Sequence, residues 1–569
     1  MIGWQFGEID ATNFPFLHLD IYPMADGTIE IYPVNNTDPK GEYRKTVTVK
    51  GGQWNHVIID LRGNDLTKIM QIGWINYYLL NGFFIDNVFF ASKKIAKAQP
   101  NVYAYGIKGA LNEAGNAFEV EYSLNAYANS VEVEFFNEDG EIELQAILDK
   151  ADQLTPGAHK ATIEYMDVLD PGTYTWAIHA YADATDFENL LPVGDPRDSF
   201  YLPQDVVVDN SFESEYFGNI YVSMPWEGES DGMTATTQQQ HRGLFYFDPS
   251  LETVNGKDSA LVGFDGGLGG ATNTRNGIKR LSVDEQGFVY VASRDPETKG
   301  VYRADPSDMS KPFATVLAAN YTVDALEVVG DKLYTIEDIG GATGGQLNTY
   351  KLDQIPVGAA TKTWELGDKN LANADETLRS DRRGGFWIAQ NRYGLDVYPG
   401  LTHLNSKGQR DFWIDQDNNA DLLSNTNGNL TYRGTMGVSV DGKLLAISSN
   451  KEAVVFAVEW SDEGVPSLSK VCETPVIGGN IDGIAFDIAD NLYVACASME
   501  QFRMYPLAKA DGENNCRVYA ASKYNIVIKE EEGVDNVSAT VAPVKVLRDG
   551  QVLIIRNGVE YNVLGNAVK

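Results

Sequence analysis

Short runs in which apolar and polar residues alternate fill most of the chain. Leu17-His18-Leu19-Asp20-Ile21-Tyr22 and Thr28-Ile29-Glu30-Ile31-Tyr32 have a period of two, the mark of a strand with one buried face. Gly52-Gln53-Trp54-Asn55-His56-Val57-Ile58-Ile59-Asp60-Leu61 and Phe84-Ile85-Asp86-Asn87-Val88-Phe89-Phe90 follow, at the spacing of an antiparallel β-sandwich. Lys93 to Pro100 (KKIAKAQP) breaks the pattern and predicts a linker. A second all-β unit is expected over 100–200. There Val131-Glu132-Val133-Glu134-Phe135 alternates, and Asp170-Pro171-Gly172 is a turn feeding Thr173-Tyr174-Thr175-Trp176.

From residue 201 a unit repeats: an apolar strand, a turn with an acidic residue, and a second strand carrying Tyr or Trp. It occurs at Val206-Val207-Val208-Asp209 with Ile220-Tyr221-Val222, and at Leu281-Ser282-Val283-Asp284 with Phe288-Val289-Tyr290-Val291. It returns at Leu326-Glu327-Val328 with Lys332-Leu333-Tyr334, and at Asp381 with Phe386-Trp387-Ile388. The last copies are Val438-Ser439-Val440-Asp441 with Lys443-Leu444-Leu445, and Ile484-Ala485-Phe486-Asp487 with Asn491-Leu492-Tyr493-Val494. One copy would be a hairpin; six in order, each with room for about four strands, predict a β-propeller over 201–525. The final repeat is expected to span Ile481 to Tyr519. The chain then closes, over 540–569, in two further hairpins, around Arg548-Asp549-Gly550 and Asn557-Gly558.

Charge narrows the partners. Eighty acidic residues against 45 basic ones leave a net charge of −35, which argues against nucleic acid. Three cysteines, Cys472, Cys496 and Cys516, make no disulfide framework. No run is long enough for a membrane-spanning helix. No signal peptide is seen, since Met1-Ile2-Gly3-Trp4 opens directly onto strand-like sequence.

A propeller binds at the face where its inner strands begin. The charged residues expected there are Asp205, Arg280, Asp324, Glu376, Arg433 and Asp482. They either pair around the mouth, or Asp324, Glu376 and Asp482 offer hard oxygen ligands that suit calcium. Two long loops share this face. Pro225 to Gln240 carries Trp226 and leads to His241 and Arg242; Gly263 to Gly277 has polar tips at Asn273, Arg275 and Asn276. Loops of this length are often functional. Asn391, Arg392, Tyr321, Tyr393 and Tyr432 complete the candidate ligand contacts, because sugar rings stack on aromatic faces while amides and charged groups bond their hydroxyls. Asp415, Asp417, Asn419 and Asp421 resemble the opening of a calcium loop, although Ala420 replaces its glycine and Thr426 its closing Glu. No nucleophile elbow, zinc-protease motif, Cys-x-x-Cys or dinucleotide fingerprint is present. Glu376, Asp324, Asp482 and His241 are the acid–base candidates if the protein turns its ligand over.

Three segments resemble known families. His18-Leu19-Asp20-Ile21-Tyr22, Gly52-Gln53-Trp54-Asn55, Ile59-Asp60-Leu61 and Ile85-Asp86-Asn87-Val88 resemble the jelly-roll, carbohydrate-binding-like modules of secreted Bacteroidetes proteins, here over 1–93 and without the first strands. Gly172-Thr173-Tyr174-Thr175-Trp176 resembles a late strand of bacterial Ig-like domains, generally spacers. Gly550, Gln551, Ile554, Asn557, Gly558, Tyr561, Asn562, Val563, Leu564 and Gly565 resemble the carboxy-terminal sorting segments of type IX secretion cargo. Together these resemblances imply an extracytoplasmic protein; with the repeats and the loop residues, the chain is expected to be all-β and monomeric and to recognise a polysaccharide through its amino-terminal sandwich and the propeller's top face. A polysaccharide hydrolase or lyase, and a protein-binding scaffold, remain as alternatives.

Overall fold

The alternating runs become strands throughout the computed structural model. It describes the chain except residues 1, 13, 38–40, 79–81, 92–99, 114–115, 166–168, 184–199, 231–237, 252–253, 257–261, 269–276, 320, 339–344, 365–375, 391–399, 416, 423–433, 450–451, 475–479, 498–500, 508–512, 527–543, 549–550, 557–558, 563–566 and 569. No helix among the described residues is long and apolar enough to cross a membrane. The chain divides into two units, 1–99 and 100–569.

The first unit contains β1 (Ile2–Ile9), β2 (Phe16–Pro23), β3 (Gly27–Asn35), β4 (Gly41–Glu42), β5 (Lys45–Val49), β6 (Asn55–Asp60), β7 (Ile69–Tyr78) and β8 (Phe83–Ala91). One sheet runs β1-β7-β3-β4 with β5 also on β3; the other runs β6-β2-β8. Leu17, Leu19 and Ile21 from β2 meet Ile29, Ile31, Ile72 and Trp74 between the sheets. Alternation in β2 thus sends its apolar half inward and leaves Phe16, His18, Asp20 and Tyr22 on the outer face.

The second unit begins as a sandwich: β9 (Ala104–Leu111), β10 (Ala117–Leu124), β11 (Ser130–Phe136), β12 (Ile142–Leu148), β13 (Gly157–Glu164) and β14 (Gly172–Asp183). The sheet β13-β10-β9 packs on one that includes β14-β11-β12, around Phe118, Phe135 and Trp176.

Among the described residues the propeller follows as six sheets, five of four strands and one of three. Their inner strands are Asp205–Val208, Ile278–Val283, Thr322–Val329, Glu376–Ser380, Met436–Val438 and Gly483–Phe486. Each lies beside the next, and the sixth returns to the first. A separate apolar cluster fills each junction between blades. The sixth joins Phe245 and Phe247 of blade one to Tyr493 and Phe502 of blade six, with Phe200 between.

The recurring acidic residue is a turn brace. Asp284 Oδ1 accepts from the N–H groups of Gln286 and Phe288, Asp381 Oδ1 from Arg383 and Gly385, and Asp487 Oδ1 from Ala489 and Asn491. Each closes the hairpin from inner to second strand by the local side-chain bonding for which Asp is favoured in turns. The other oxygen bonds a ring on a neighbouring strand: Tyr290 for Asp284, His403 for Asp381, Tyr493 for Asp487.

The last repeat departs from the expected 481–519. Blade six ends with Gln501–Pro506, and the strand Glu513–Tyr519 pairs antiparallel with β14 of the sandwich. Tyr524–Ile526 pairs with the start of β14. The tail strands Val544–Arg548, Gln551–Arg556 and Val559–Asn562 form the two expected hairpin pairings and extend the same sheet beyond β12, Leu547 lying parallel to Ala146. The propeller is therefore inserted between two adjacent strands of one sandwich. The return strand is locked by Glu134, which is buried and receives Arg517 through Nε at 2.6 Å and Nη2 at 3.1 Å. Burial opposes ionisation of Glu134, but His179 and Arg517 hold its carboxyl below the usual range.

Candidate functional site

Three places bear on function. The first is the outer face of β6-β2-β8 in the first unit. Tyr22 is paired with Phe84 across β2 and β8, ring centroids 6.4 Å apart, and Trp54, just ahead of β6, meets Tyr22 edge-on at 5.5 Å. Trp54 is 51% exposed and Phe84 59%. Two residue pairs farther along β2, the buried Asp20 lies opposite the half-buried Asp86; beyond them His18 is buried and stacked on Phe89 at 4.8 Å, 7° from parallel. Exposed aromatics gathered on one sheet face mark an interaction surface rather than scattered surface apolarity. Rings bordered by carboxylates suit a ligand with C–H faces and hydroxyl edges.

The second is the propeller face where the inner strands begin. The long 225–240 segment is partly a hairpin, with Gly228–Ser230 paired to Gln238–Gln240. At its base Trp226 is half-buried, and His241 is exposed with Nδ1 3.7 Å from Glu227. Arg242 is half-buried nearby, and Tyr321 is 44% exposed. Asp324 is buried against Arg294 at 3.1 Å, so it does not stand ready as a cation ligand. Asp482 is half-buried, and its carbonyl accepts from Arg280 Nη1 at 2.8 Å. Glu376 starts blade four's inner strand opposite Gln390. Its side chain, and the whole of Asn273, Arg275, Asn276, Asn391, Arg392, Tyr393, Tyr432 and Arg433, lie outside the described residues.

At the suspected calcium loop, Asp415 Oδ1 accepts from the N–H groups of Asp417 and Asn418 and from the Asn418 amide. Asn419, left-handed at φ 53°, donates to the Trp413 carbonyl. Asp417 and Asp421 are exposed. The turn thus engages one candidate ligand oxygen, Asp415 Oδ1, three times over.

The third place is the channel, which a charged bridge crosses. Asp205, fully buried in blade one, accepts from the N–H groups of Val206 and Leu281 and receives Arg379 Nη2 from blade four at 3.3 Å. Arg379 also stands 3.7 Å from Glu327 of blade three, whose other oxygen accepts from Ser380 N–H. Arg280 Nη1 ties Gln204 to Asp482. Of the charges expected at the strand starts, Asp205 thus meets Arg379 and Asp324 meets Arg294, neither a partner that the expectation named, and Arg280 bonds only backbone carbonyls. Beyond this bridge, on the face where the inner strands end, lies a cavity of about 280 Å³ that includes Val208, Ser282, Glu327, Val328, Arg379 and Arg382. Sequence reasoning placed ligands at the opposite face and did not anticipate it. The available signal was charge inside inner strands, Glu327 and Arg379, where the other copies carry Ser or aliphatic residues.

No protein-family model and no curated protein matches the chain. Solved structures resembling it include the PQQ domain of pyranose dehydrogenase from Coprinopsis cinerea (12% identity, 57% of this chain and 97% of that one, TM-score 0.35). The gluconolactonase XC5397 from Xanthomonas campestris gives 13%, 57%, 97% and 0.35. The WD40 propeller domain of Doa1 gives 14%, 60%, 99% and 0.32. The neighbours include propellers, in keeping with the all-β architecture, and at these scores they carry no argument about activity.

Proposed function

We propose that this is an extracytoplasmic, monomeric glycan-recognition protein, and that its primary contact is the aromatic platform of the first unit. The observation that carries this reading is the cluster of exposed Trp54 and Phe84 with half-buried Tyr22, near the half-buried Asp86. The hairpin base with Trp226, His241 and Arg242 supplies a second contact, and the carboxy-terminal strands serve as a type IX sorting segment. Recognition is favoured over turnover because Asp205 and Asp324, two of the described carboxylates near the propeller mouth, are held by arginines.

A polysaccharide array on the intact chain, with reducing-sugar and unsaturated-product assays in parallel, tests the reading. Trp54→Ala should weaken the best glycan by about 1–2 kcal/mol, the scale of losing one aromatic contact. Unchanged affinity in Trp54→Ala, or product released by the wild type, defeats it.

A further inference from the structure

We propose that the cavity beneath the Asp205–Arg379–Glu327 bridge is a separate binding site for an uncharged, monosaccharide-sized polyol. It lies in the second unit and does not depend on the platform. The size comes first. At about 280 Å³ it falls just under the usual lower bound, roughly 300 Å³, of pockets that enclose small molecules. With the bridge standing across one end, its volume matches a single ring.

Charge selects the class. The charged groups lining the cavity are Arg379 and Arg382 against Glu327 and the exposed Glu285, while Asp205 holds Arg379 from behind and does not line it. Asp209 and Asp284 also border it, but their carboxylates are bonded into their own turns, to Ser211 N–H and the Ser214 hydroxyl and to Gln286 N–H, Phe288 N–H and the Tyr290 hydroxyl. An anion would meet Glu327 and the field of a chain with net charge −35; a cation would meet two guanidiniums. A hydroxyl pair avoids both penalties, since it accepts from a guanidinium and donates to a carboxylate at once.

The donors and acceptors are placed for this. Arg382 Nη1 is 4.0 Å from Glu327, the outer limit of an ion pair, and the Arg382 side chain is 39% exposed. Its backbone is held left-handed at φ 64°, a conformation rarely adopted outside glycine and often retained where a side chain has a role. Glu327 is buried, with Ser380 N–H on one oxygen and only the 3.7 Å approach of Arg379 on the other. Val207, Val208, Val283, Val328 and Val438 supply apolar walls for ring C–H groups.

Saturation-transfer NMR on the intact chain, with D-glucose, D-galactose, D-mannose and D-xylose as probes, tests the site. At least one should saturate. Arg382→Ala should weaken it about tenfold, and Val329→Trp, at an exposed position on the cavity rim, should abolish it. Trp54→Ala should leave it unchanged, which separates this site from the platform. No saturation by any probe, binding that survives both cavity variants, or tenfold tighter binding of glucuronate or glucosamine overturns the proposal.

Discussion

Asn101 is the residue on which the insertion of the propeller into the sandwich can be tested most directly. It is buried, and its side-chain amide donates to the carbonyls of Ala489 (2.9 Å) and Leu507 (2.6 Å) in blade six. Its side-chain oxygen accepts from Asn514 on the return strand at 3.0 Å. Asn101→Ala removes all three bonds and leaves two carbonyls and an amide without that partner. A buried hydrogen bond contributes about 1 kcal/mol net, and a stranded buried group costs about 1–3 kcal/mol. Water entering the space vacated by the amide offsets part of this. The expected destabilisation is therefore about 3–4 kcal/mol. Because the partners belong to blade six and to the return strand, propeller and sandwich should lose stability together. Urea unfolding of the intact chain, followed by tryptophan fluorescence and far-UV circular dichroism, should show one shared transition moving to lower urea. A loss below about 1 kcal/mol, or a shift confined to one of two separate transitions, would refute the reasoning.

Two further outcomes are expected. Burial pushes the Asp209 and Asp487 carboxyls up to about 6, so their contribution to stability is present below the unfolded carboxylate range near 3.9 and is lost as pH rises through about 6. Asp487→Asn should therefore gain on the wild type by about 1–3 kcal/mol between pH 4 and pH 7, and a difference that stays constant across that window would contradict the shift. For the Asp415–Asp421 turn, with Asp415 Oδ1 already accepting three hydrogen bonds, millimolar calcium or its removal by chelator should move Tm by less than about 1 °C; a larger shift that vanishes in Asp417→Ala would mean that the loop holds the ion.

The propeller was legible because the blades repeat one local pattern: an apolar inner strand, a tight turn that Asp braces at 284, 381 and 487, and a second strand that in most copies carries a large ring. Such signals lie within a few residues of one another. The origin of the last strand was not legible. Glu513–Tyr519 (ENNCRVY) can follow Gln501–Pro506 as an outer blade strand or pair with β14, and nothing within the segment decides between the two. The decision is made by Arg517 meeting Glu134 and by Asn514 meeting Asn101, partners hundreds of positions away. The channel bridge was hidden for the same reason: Asp205 and Arg379 belong to opposite blades. The platform was half visible, since Trp54 and the Leu17–Tyr22 alternation stood out, but only β-pairing sets Phe84 beside Tyr22.

The insertion also has a mechanical meaning. The segment leading in from the first unit enters the second at Asn101, which bonds both Asn125 of the sandwich and blade six, and the tail strands extend the β12 edge. The propeller leaves and returns through two strands that lie side by side in that sheet. If the tail is held at a cell surface while the first unit is held by its ligand, tension between the two is carried by the sandwich. Blade six shares that load through its bonds to Asn101.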